Sequence, residues 1–311
     1  MDVRHLDLLR ELADRGTVTA VAAATFRSPS AVSQQLQTAE RAFGMPLVEP
    51  AGRRLRLTAA GRLLAEGAVE VSATMGRLQR ELDDLHGEPT GTVSIAALPS
   101  AAELLIPPLL VRCAGTGIEV DFTDADVAEA DYADRAADFD LVIGHSLAEV
   151  PAGADRLVAI RVASEPLDVA VPAGHRLARR VSVSAADLAG EAWIGVPLGY
   201  PFDTVRIAIE NRSGAPLAVV QRIRDNRVVE ALVAAGVGCA LLPRFTTRPR
   251  PDLVTVPLDD VRSVRSIVAL GRPDRLERAA VRVVVENLIE IGATLGQAGV
   301  MRDSMDADIL R

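Results

Sequence analysis

Residues 28–57 have the sequence SPSAVSQQLQTAERAFGMPLVEPAGRRLRL, and this stretch decides the fold of the N-terminal region. Ser28-Pro29-Ser30 predicts the start of a helix, because proline fits a first turn, where its missing N–H has no intrahelical partner. Gly44 predicts the end of that helix. Between them, apolar residues recur at spacings of four, three and four, the period of an amphipathic helix: Val32, Leu36, Ala39 and Phe43.

The polar groups of this stretch are unusual for a surface helix. The face of the helix opposite the apolar stripe carries hydroxyls and amides instead of Glu and Lys pairs: Ser30, Ser33, Gln34 and Gln37. Two short strands, 47–49 and 54–57, predict a hairpin with Arg53, Arg54 and Arg56 at its tip and second strand. These groups suit base edges and phosphates. The pattern predicts DNA binding, and a plain solvated face is the alternative.

The residues before this stretch predict two more short helices. The first has apolar residues at helical spacing and ends at Gly16: Leu6, Leu9, Leu12 and Ala13. The second is expected over residues 20–26, with Thr17 or Thr19 as its cap. Three helices and a hairpin are therefore expected in residues 1–57.

The next segment has the most regular pattern in the chain. After a capping Thr58, apolar residues recur at alternating spacings of four and three: Leu64, Ala68, Val71, Met75, Leu78, Leu82 and Leu85. This heptad pattern predicts a long helix that pairs with its copy in a second chain through Leu64, Val71, Met75, Leu78, Leu82 and Leu85. Packing on its own domain is the alternative. Such pairing would set two DNA-binding units against two half-sites.

The second part of the chain predicts an α/β fold. Gly87-Glu88-Pro89-Thr90-Gly91 indicates a domain boundary, and strands then alternate with helices. Strands are expected at 93–98, 118–122, 141–143, 167–171, 193–196, 217–223, 238–242 and 266–270, and helices at 101–110, 202–211, 226–235 and 276–291. The last twenty residues predict a loosely held tail.

Composition excludes several classes. The length of 311 residues suits about two domains, and 49% hydrophobic with 24% charged residues is neither disordered nor fibrous. The net charge of −8 argues against nucleic-acid binding by the chain as a whole, but residues 1–60 carry +2, and every basic side chain is Arg. No apolar run reaches the roughly 18 residues of a membrane span, and the N-terminus lacks a signal-peptide pattern. A cytoplasmic protein without membrane contact is expected.

Enzymatic and metal chemistry have little support in the sequence. The four histidines are scattered, and there is no nucleophile elbow, phosphate loop or paired-carboxylate motif. Cys113 and Cys239 lie in apolar surroundings without metal-ligand spacing. No enzyme, cofactor or metal is expected. Two alternatives remain open: a redox sensor acting through Cys113 or Cys239, and a solute-binding module that is not exported.

The N-terminal run resembles the LysR-type transcriptional regulators. The likeness rests on the first-helix leucines, Gly16, Thr19, Ala22-Ala23, Ser30–Leu36, Glu40, Gly44, Pro46-Leu47 and Arg53–Gly61. It continues beyond the heptads in Gly91–Ile95, Asp140–Ile143, Trp193-Ile194 and Gly236–Pro243. It therefore extends over most of the chain.

The resemblance implies a winged helix-turn-helix domain (1–58), a linker and dimerisation helix (59–88) and an effector domain (91–296) similar to type 2 periplasmic binding proteins. Lobe 1 would hold 91–161 and 266–296, lobe 2 would hold 162–265, and 297–311 would form the tail. It implies a homodimer or homotetramer that binds an imperfect inverted repeat of double-stranded DNA, responds to a small-molecule effector and acts on the transcription machinery.

The resemblance also implies site residues. DNA contacts are expected from Thr19, Arg27, Ser28, Pro29, Ser30, Ser33, Gln34, Gln37, Arg53, Arg54 and Arg56. Effector contacts are expected where strand ends meet helix N-termini in a cleft between the lobes: Pro99, Ser100, Ala101, His145, Leu198, Gly199, Tyr200, Phe202, Asn226 and Phe245. Helix capping by Ser100 and Asn226 and a solvated loop position for His145 are the alternatives.

The chain departs from the family pattern at several positions. Pro29 stands where the family usually has Gln, Gln34 where Arg is common, and Ala39 where Leu is usual. Val48-Glu49-Pro50 replaces an aromatic residue followed by Arg in the first wing strand. Each change removes a long donor or a packing group, so unusual base specificity or modest affinity is expected, which two half-sites bound together would offset.

Overall fold

The computed structural model describes residues 2–52, 54–87, 89–125, 128–148, 151, 154 and 157–309, and only the backbone of 83, 84, 86 and 296–309. The N-terminal domain contains the expected three helices and hairpin: α1 (Val3–Arg15), α2 (Val18–Ala24), α3 (Pro29–Phe43), β1 (Val48–Ala51) and β2 (Arg54–Leu57). Its core includes the predicted stripe residues Val32, Leu36 and Ala39. Phe43 packs against that core.

Local hydrogen bonds set the ends of these helices. Ser28 Oγ accepts from the Ala31 N–H (3.2 Å) and caps α3, and Gly44 ends α3 in the left-handed conformation. The sequence places α2 at 20–26, whereas it begins at Val18 because Thr17 Oγ1 accepts from the Ala20 N–H (3.1 Å). Thr17 is therefore the cap.

The heptad segment forms one long helix, α4 (Ala59–His86). Thr58 caps it by accepting from the Gly61 N–H (3.1 Å). Its first half packs on the N-terminal domain, with Ala65 and Ala68 buried. In its second half the apolar side chains lie exposed: Met75 54%, Leu78 57%, Leu82 50% and Leu85 82%. Pairing of α4 with a second chain stays a prediction.

The remaining elements form two lobes. In chain order they are β3 (Gly91–Ala97), α5 (Pro99–Cys113), β4 (Ile118–Asp124), α6 (Tyr132–Ala136), β5 (Leu141–Ser146), β6 (Val158–Pro172), β7 (Ala192–Gly195), α7 (Pro201–Ser213), β8 (Ala218–Arg222), α8 (Asn226–Ala234), β9 (Ala240–Pro243), β10 (Leu253–Val256), β11 (Val264–Gly271), α9 (Pro273–Leu276) and α10 (Ala279–Ile309). One sheet has the order β10-β6-β11-β5-β3-β4 with β9 also on β6, and β7 pairs with β8.

Two apolar cores define the lobes. One core lies between β3, β5, β11, α5 and α10 and is called lobe 1. The other joins the second half of β6 to β7, β9 and α7 and is called lobe 2. The sequence predicts a strand at 167–171, but β6 begins at Val158, because its first half pairs with β11 and its second half with β9 and β10. One continuous strand therefore joins the lobes.

The C-terminal helix differs from expectation. The sequence predicts a helix at 276–291 followed by a tail at 297–311, whereas α9 is a separate short helix and the backbone of α10 stays helical to Ile309. No proline interrupts residues 279–309, and a glycine inside a helix costs only about 1 kcal/mol. Gly296 and Gly299, within the last twenty residues that predict a tail, therefore do not end the helix.

The N-terminal domain docks on lobe 1 through ion pairs. Arg10 on α1 contacts Asp274 on α9 (3.2 Å), and Arg272 donates to Asp274 (2.8 Å) with Glu11 at 3.8 Å. Arg15 at the end of α1 contacts Asp138 (2.8 Å). These contacts join α1 to lobe 1.

The linker helix also lies close to lobe 1. A Cβ on Gly76 of α4 would lie 2.9 Å from Glu277 Cβ, so only glycine permits this approach. Arg80, one turn later, pairs with Glu277. None of the described helices combines the length and the apolar character that a membrane crossing requires.

Candidate nucleic-acid interface and ligand cleft

The exposed face of α3 consists of short uncharged polar side chains. Ser30, Gln34 and Gln37 are exposed and Ser33 is half-buried. Ser28 Oγ lies 3.0 Å from Ser30 Oγ, so the first turn gathers two hydroxyls beside the ring of Pro29. Among the described residues, the amides of Gln34 and Gln37 have no hydrogen-bond partner. This face can offer donors and acceptors to a partner without first breaking internal bonds.

Arg27 and Thr19 border this face. Arg27 donates to Gln35, whose amide in turn donates to the Arg4 carbonyl (2.7 Å), so the Arg27 side chain is held beside the start of α3. Thr19 lies on α2 and is exposed, inside the helix instead of capping it.

The hairpin carries its arginines beside α3. Arg54 is exposed, and its stem lies against Gly16, at 3.8 Å from the position of a Cβ there. Arg56 contacts Glu49 on the facing strand (2.6 Å), which neutralises part of its charge. Arg53 lies outside the described residues. Of the two wing arginines that the structure describes, Arg54 is therefore the one without an acidic partner.

A cavity of about 400 Å³ lies between the two lobes. Six of the ten predicted effector residues line it: Pro99, Ser100, His145, Tyr200, Phe202 and Asn226. Four do not. Ala101 is fully buried in the lobe 1 core, Leu198 and Gly199 lie in the loop before α7, and the Phe245 backbone N–H donates to Glu165 (2.7 Å).

The cavity also contains residues that the sequence did not single out. Arg265 on β11 and Thr246 after β9 line it, together with Glu103 and Asp124. Arg265 had one detectable signal: it shares a strand face with the apolar residues Ile267 and Ala269, and a lone charge in such a series indicates a buried ion pair. Thr246 carried no signal.

The floor of the cavity is built around a buried ion pair. Arg265 and Glu165 are both fully buried, with Arg265 Nε 2.8 Å from Glu165 Oε2, and Arg265 Nη1 donates to Ser100 Oγ (2.9 Å). The Arg265 guanidinium also lies 5.8 Å from the centre of the Phe202 ring. Ser100 therefore accepts from Arg265.

His145 sits against this pair as a neutral imidazole. Burial and the charge of Arg265 lower the pKa of His145 to about 3. Its ring meets the Phe202 ring edge to face with centres 5.2 Å apart. Its position is thus a buried one and not that of a solvated loop histidine.

Ion pairs join the lobes at the rim. Glu103 on α5 of lobe 1 pairs with Arg227 on α8 and with Arg248 (3.1 Å), both in lobe 2. Asp225 caps α8 by accepting from the Arg227 backbone N–H (2.7 Å). Asn226, the first residue of α8, therefore lines the cavity while Asp225 acts as the cap.

Neither cysteine has the environment of a redox sensor. Both thiols are buried, and burial raises the pKa of Cys113. Burial, together with the charge of Glu191, raises the pKa of Cys239 to about 12. A reactive thiol needs exposure and a lowered pKa. The described surroundings of both thiols oppose thiolate formation.

His175, Glu191 and Cys239 bring their donor atoms within 4.8 Å of one another. His175 Nδ1 accepts from the Leu177 N–H (3.3 Å), so in the neutral ring Nε2 carries the proton and faces Glu191 (3.3 Å). Arg176 donates to the other Glu191 oxygen (2.6 Å). A metal ligand must be deprotonated, and these bonds engage both His175 nitrogens and both Glu191 oxygens, while burial and Glu191 keep the Cys239 thiol protonated.

Family models match most of the chain. Residues 3–62 match the bacterial regulatory helix-turn-helix protein, lysR family, and residues 86–292 match the LysR substrate binding domain. The transcriptional dual regulator GltC of Bacillus subtilis is 27% identical over 290 residues, covering 90% of this chain and 93% of that protein. The DNA-binding transcriptional dual regulator OxyR of Escherichia coli is 25% identical over 279 residues, covering 88% and 90%. These relatives are transcriptional regulators.

Solved structures share the fold. A full-length OxyR variant from Pseudomonas aeruginosa superimposes with a TM-score of 0.61 at 16% identity, covering 93% of this chain and 98% of that one. Full-length CbnR complexed with its target DNA gives 0.54 at 20% identity, covering 94% and 100%. The chain therefore belongs to the LysR family of bacterial transcriptional regulators, with a helix-turn-helix domain and a two-lobed effector-binding domain.

Proposed function

We propose that this regulator binds an imperfect inverted repeat of double-stranded DNA as a homodimer or homotetramer, acts on the transcription machinery in the cytoplasm and is not an enzyme. A small-molecule effector in the cavity between the lobes controls it. The observation that carries the proposal is the α3 face, where Ser30, Gln34 and Gln37 are exposed and uncharged, while α1 of the same domain contacts lobe 1.

The DNA contacts are assigned to two groups. Ser30, Ser33, Gln34 and Gln37 on α3 would read base edges, because Gln pairs with adenine in the major groove and Ser reaches bases or backbone. The other assigned residues would contact mainly phosphates and sugars: Thr19, Arg27, Ser28, Pro29, Arg53, Arg54 and Arg56. Among them, exposed Arg54 has the greatest freedom to reach a phosphate.

The second half of α4 supports the dimer. Met75, Leu78, Leu82 and Leu85 each leave at least half of their surface exposed in the single chain, on the seam that includes half-buried Leu64 and Val71. A helix with this seam gains stability by pairing with its copy. We assign 59–88 to this linker helix, 1–58 to the DNA-binding domain and 91–296 to the effector domain, beyond which the backbone of α10 continues.

The effector site is assigned to the cavity between the lobes. Pro99, Ser100, His145, Tyr200, Phe202 and Asn226 line it, and Arg265 and Thr246 join them. Because the lobes meet across this cavity, a ligand that contacts both changes their preferred separation, and this shifts the conformational populations of the dimer.

A DNA titration tests the proposal. Operator duplexes are selected from random sequence with the full-length protein, and affinity is measured by fluorescence anisotropy between 50 and 200 mM salt. Arg54→Ala should weaken binding to all sequences and lower the salt slope by about 1, whereas Gln34→Ala should change the preference among sequences. Exposed Arg179 of lobe 2 gives the control Arg179→Ala, which loses the same charge. Equal behaviour of all three variants and wild type would reject the assigned face.

A further inference from the structure

The cavity between the lobes contains two buried polar atoms without a hydrogen-bond partner in the described structure. They are His145 Nδ1 in lobe 1 and Thr246 Oγ1 in lobe 2. Both residues are more than nine-tenths buried and both line the cavity. An unsatisfied buried polar group costs about 1–3 kcal/mol. The two atoms therefore mark where a ligand that bridges the lobes gains most.

The surroundings of these atoms carry no net charge. The positive charge of Arg265 is matched by Glu165, and both side chains are fully buried. His145 is neutral, because burial and Arg265 hold its pKa at about 3. A carboxylate placed here would add a second negative charge beside Glu165, with Arg265 already donating to Glu165 and Ser100. Burying a charge without a counter-charge is costly.

The other charged side chains of the cavity include one acid without a counter-ion. Three arginines and three acids line it, namely Arg224, Arg227, Arg265, Glu103, Asp124 and Asp225, and Glu165 lies directly behind Arg265. Arg227 is paired with Glu103. Asp124, at the exposed end of β4, has no ion-pair partner in the described part of the chain. With Arg248 also paired to Glu103, the charges around the cavity balance, and Asp124 is the lining acid whose carboxylate has neither an ion pair nor a hydrogen bond in the described part of the chain.

We propose that the effector is a small amine with an uncharged hydrogen-bonding head, such as an amide, alcohol or ketone. The head contacts His145 Nδ1 and Thr246 Oγ1, the protonated amine pairs with Asp124, and the apolar part lies against Phe202. A ligand of this class satisfies both buried atoms and gives the Asp124 carboxylate a counter-ion. The assignment rests on the proposed role of this cavity as the effector site.

A charge-sorted fragment screen tests the class. The full-length protein is screened by thermal shift against equal numbers of amines with an uncharged polar head, neutral amides and alcohols, and carboxylates. The amines should give the largest shifts, about 3 °C at ten times their Kd, because a ligand stabilises the native state that binds it.

Three variants locate the contacts. Thr246→Val removes the hydroxyl without changing the shape of the side chain, and it should abolish most of the amine shift while leaving the free protein at least as stable as wild type. Asp124→Asn should raise the Kd of the amines about tenfold, and their thermal shifts should fall accordingly. The Kd of neutral ligands should stay unchanged. Asp121→Asn, on the same strand but outside the cavity lining, is the matched control. It should change the binding of neither the amines nor the neutral ligands.

The outcomes separate the class of ligand from the function of the site. Larger shifts from carboxylates, no shift from any class, or amine shifts that persist in both Thr246→Val and Asp124→Asn would overturn the inferred class. Amines that bind through Thr246 and Asp124 but leave DNA binding unchanged would support the class and reject effector control through this cavity.

Discussion

The N-terminal domain has two polar surfaces of opposite character. On α1, charged side chains pair with lobe 1: Arg10 with Asp274, Glu11 and Asp14 with Arg272, and Arg15 with Asp138. On α3, the exposed side chains of Ser30, Gln34 and Gln37 carry no charge, and in the described structure both glutamine amides lack a partner. The ion pairs of the docking surface thus lie on α1, and the open hydrogen-bonding groups lie on α3.

The difference shows how each surface is used. Charged side chains that are paired and largely buried are already desolvated, and their ion pairs fix the position of one domain against the other. Short uncharged groups keep their donors and acceptors available for a partner that arrives from solution. Changes on the α1 surface should therefore alter stability and domain docking, and changes on the α3 surface should alter DNA recognition alone.

Arg272→Ala is the largest expected disruption of the contact between α1 and lobe 1, because Arg272 of lobe 1 lies between Asp274 and the α1 acids Glu11 and Asp14. It removes a largely buried guanidinium and leaves Asp274 with Arg10 as its remaining partner. We expect a loss of about 3 kcal/mol in the free energy of unfolding, measured by chemical denaturation. The exposed control Arg179→Ala should stay within about 0.5 kcal/mol of wild type. Equal losses in the two variants would show that the pairs do not hold the domains.

Gln34→Ala tests the other surface. Its stability should match wild type within about 0.5 kcal/mol, because the amide has no internal partner among the described residues. Its discrimination between operator and single-base variants should change by about 2 kcal/mol at the position it contacts, measured by competition anisotropy. A stability loss with unchanged discrimination would reverse the assigned roles of the surfaces.

A double-mutant cycle on Arg10 and Asp274 sharpens the comparison. The two side chains are each 14% exposed and 3.2 Å apart. Arg10→Ala, Asp274→Ala and the double variant should give a coupling energy of about 1 kcal/mol in unfolding experiments. The exposed wing pair Arg56 and Glu49, treated in the same way, should give under about 0.5 kcal/mol. A larger coupling in the wing would contradict the docking role.

The smallest effect is a pH dependence of docking. Burial would raise the pKa of Asp274, but the hydrogen bond and charge of Arg272 outweigh burial and lower it from 3.8. A lowered folded-state pKa contributes stability that is present above 3.8 and is lost as the pH falls through the folded value. The stability difference between wild type and Asp274→Asn should therefore be constant from pH 6 to 5 and shrink below 4. An increase of that difference below pH 4 would contradict this sign.

Local sequence patterns predicted the helices and the hairpin of the N-terminal domain well. The cap at Ser28, the stripe through Val32 and Leu36 and the stop at Gly44 depend on neighbours within a few residues, so the sequence alone locates α3. The same holds for α4, whose heptads lie along one helix.

Long-range pairing limited the rest. Arg265 pairs with Glu165 a hundred positions earlier, and Arg10 pairs with Asp274 across 264 positions, so the local sequence identifies the partner in neither pair. The expected strand at 167–171 is part of the longer β6, because β6 pairs with partners in both lobes. Backbone rules about strand ends and helix starts led to six residues that line the cavity, whereas Thr246 lines it only because the two lobes come together there.

The central claim, that α3 and not α1 meets DNA, is tested most directly by hydrogen–deuterium exchange with and without the selected operator duplex. Peptides covering 28–43 and 54–57 should exchange more slowly in the complex, because bound DNA restricts the backbone beneath it. Peptides covering 3–15 and 272–276 should be unchanged. Protection of 3–15 without protection of 28–43 would contradict the account.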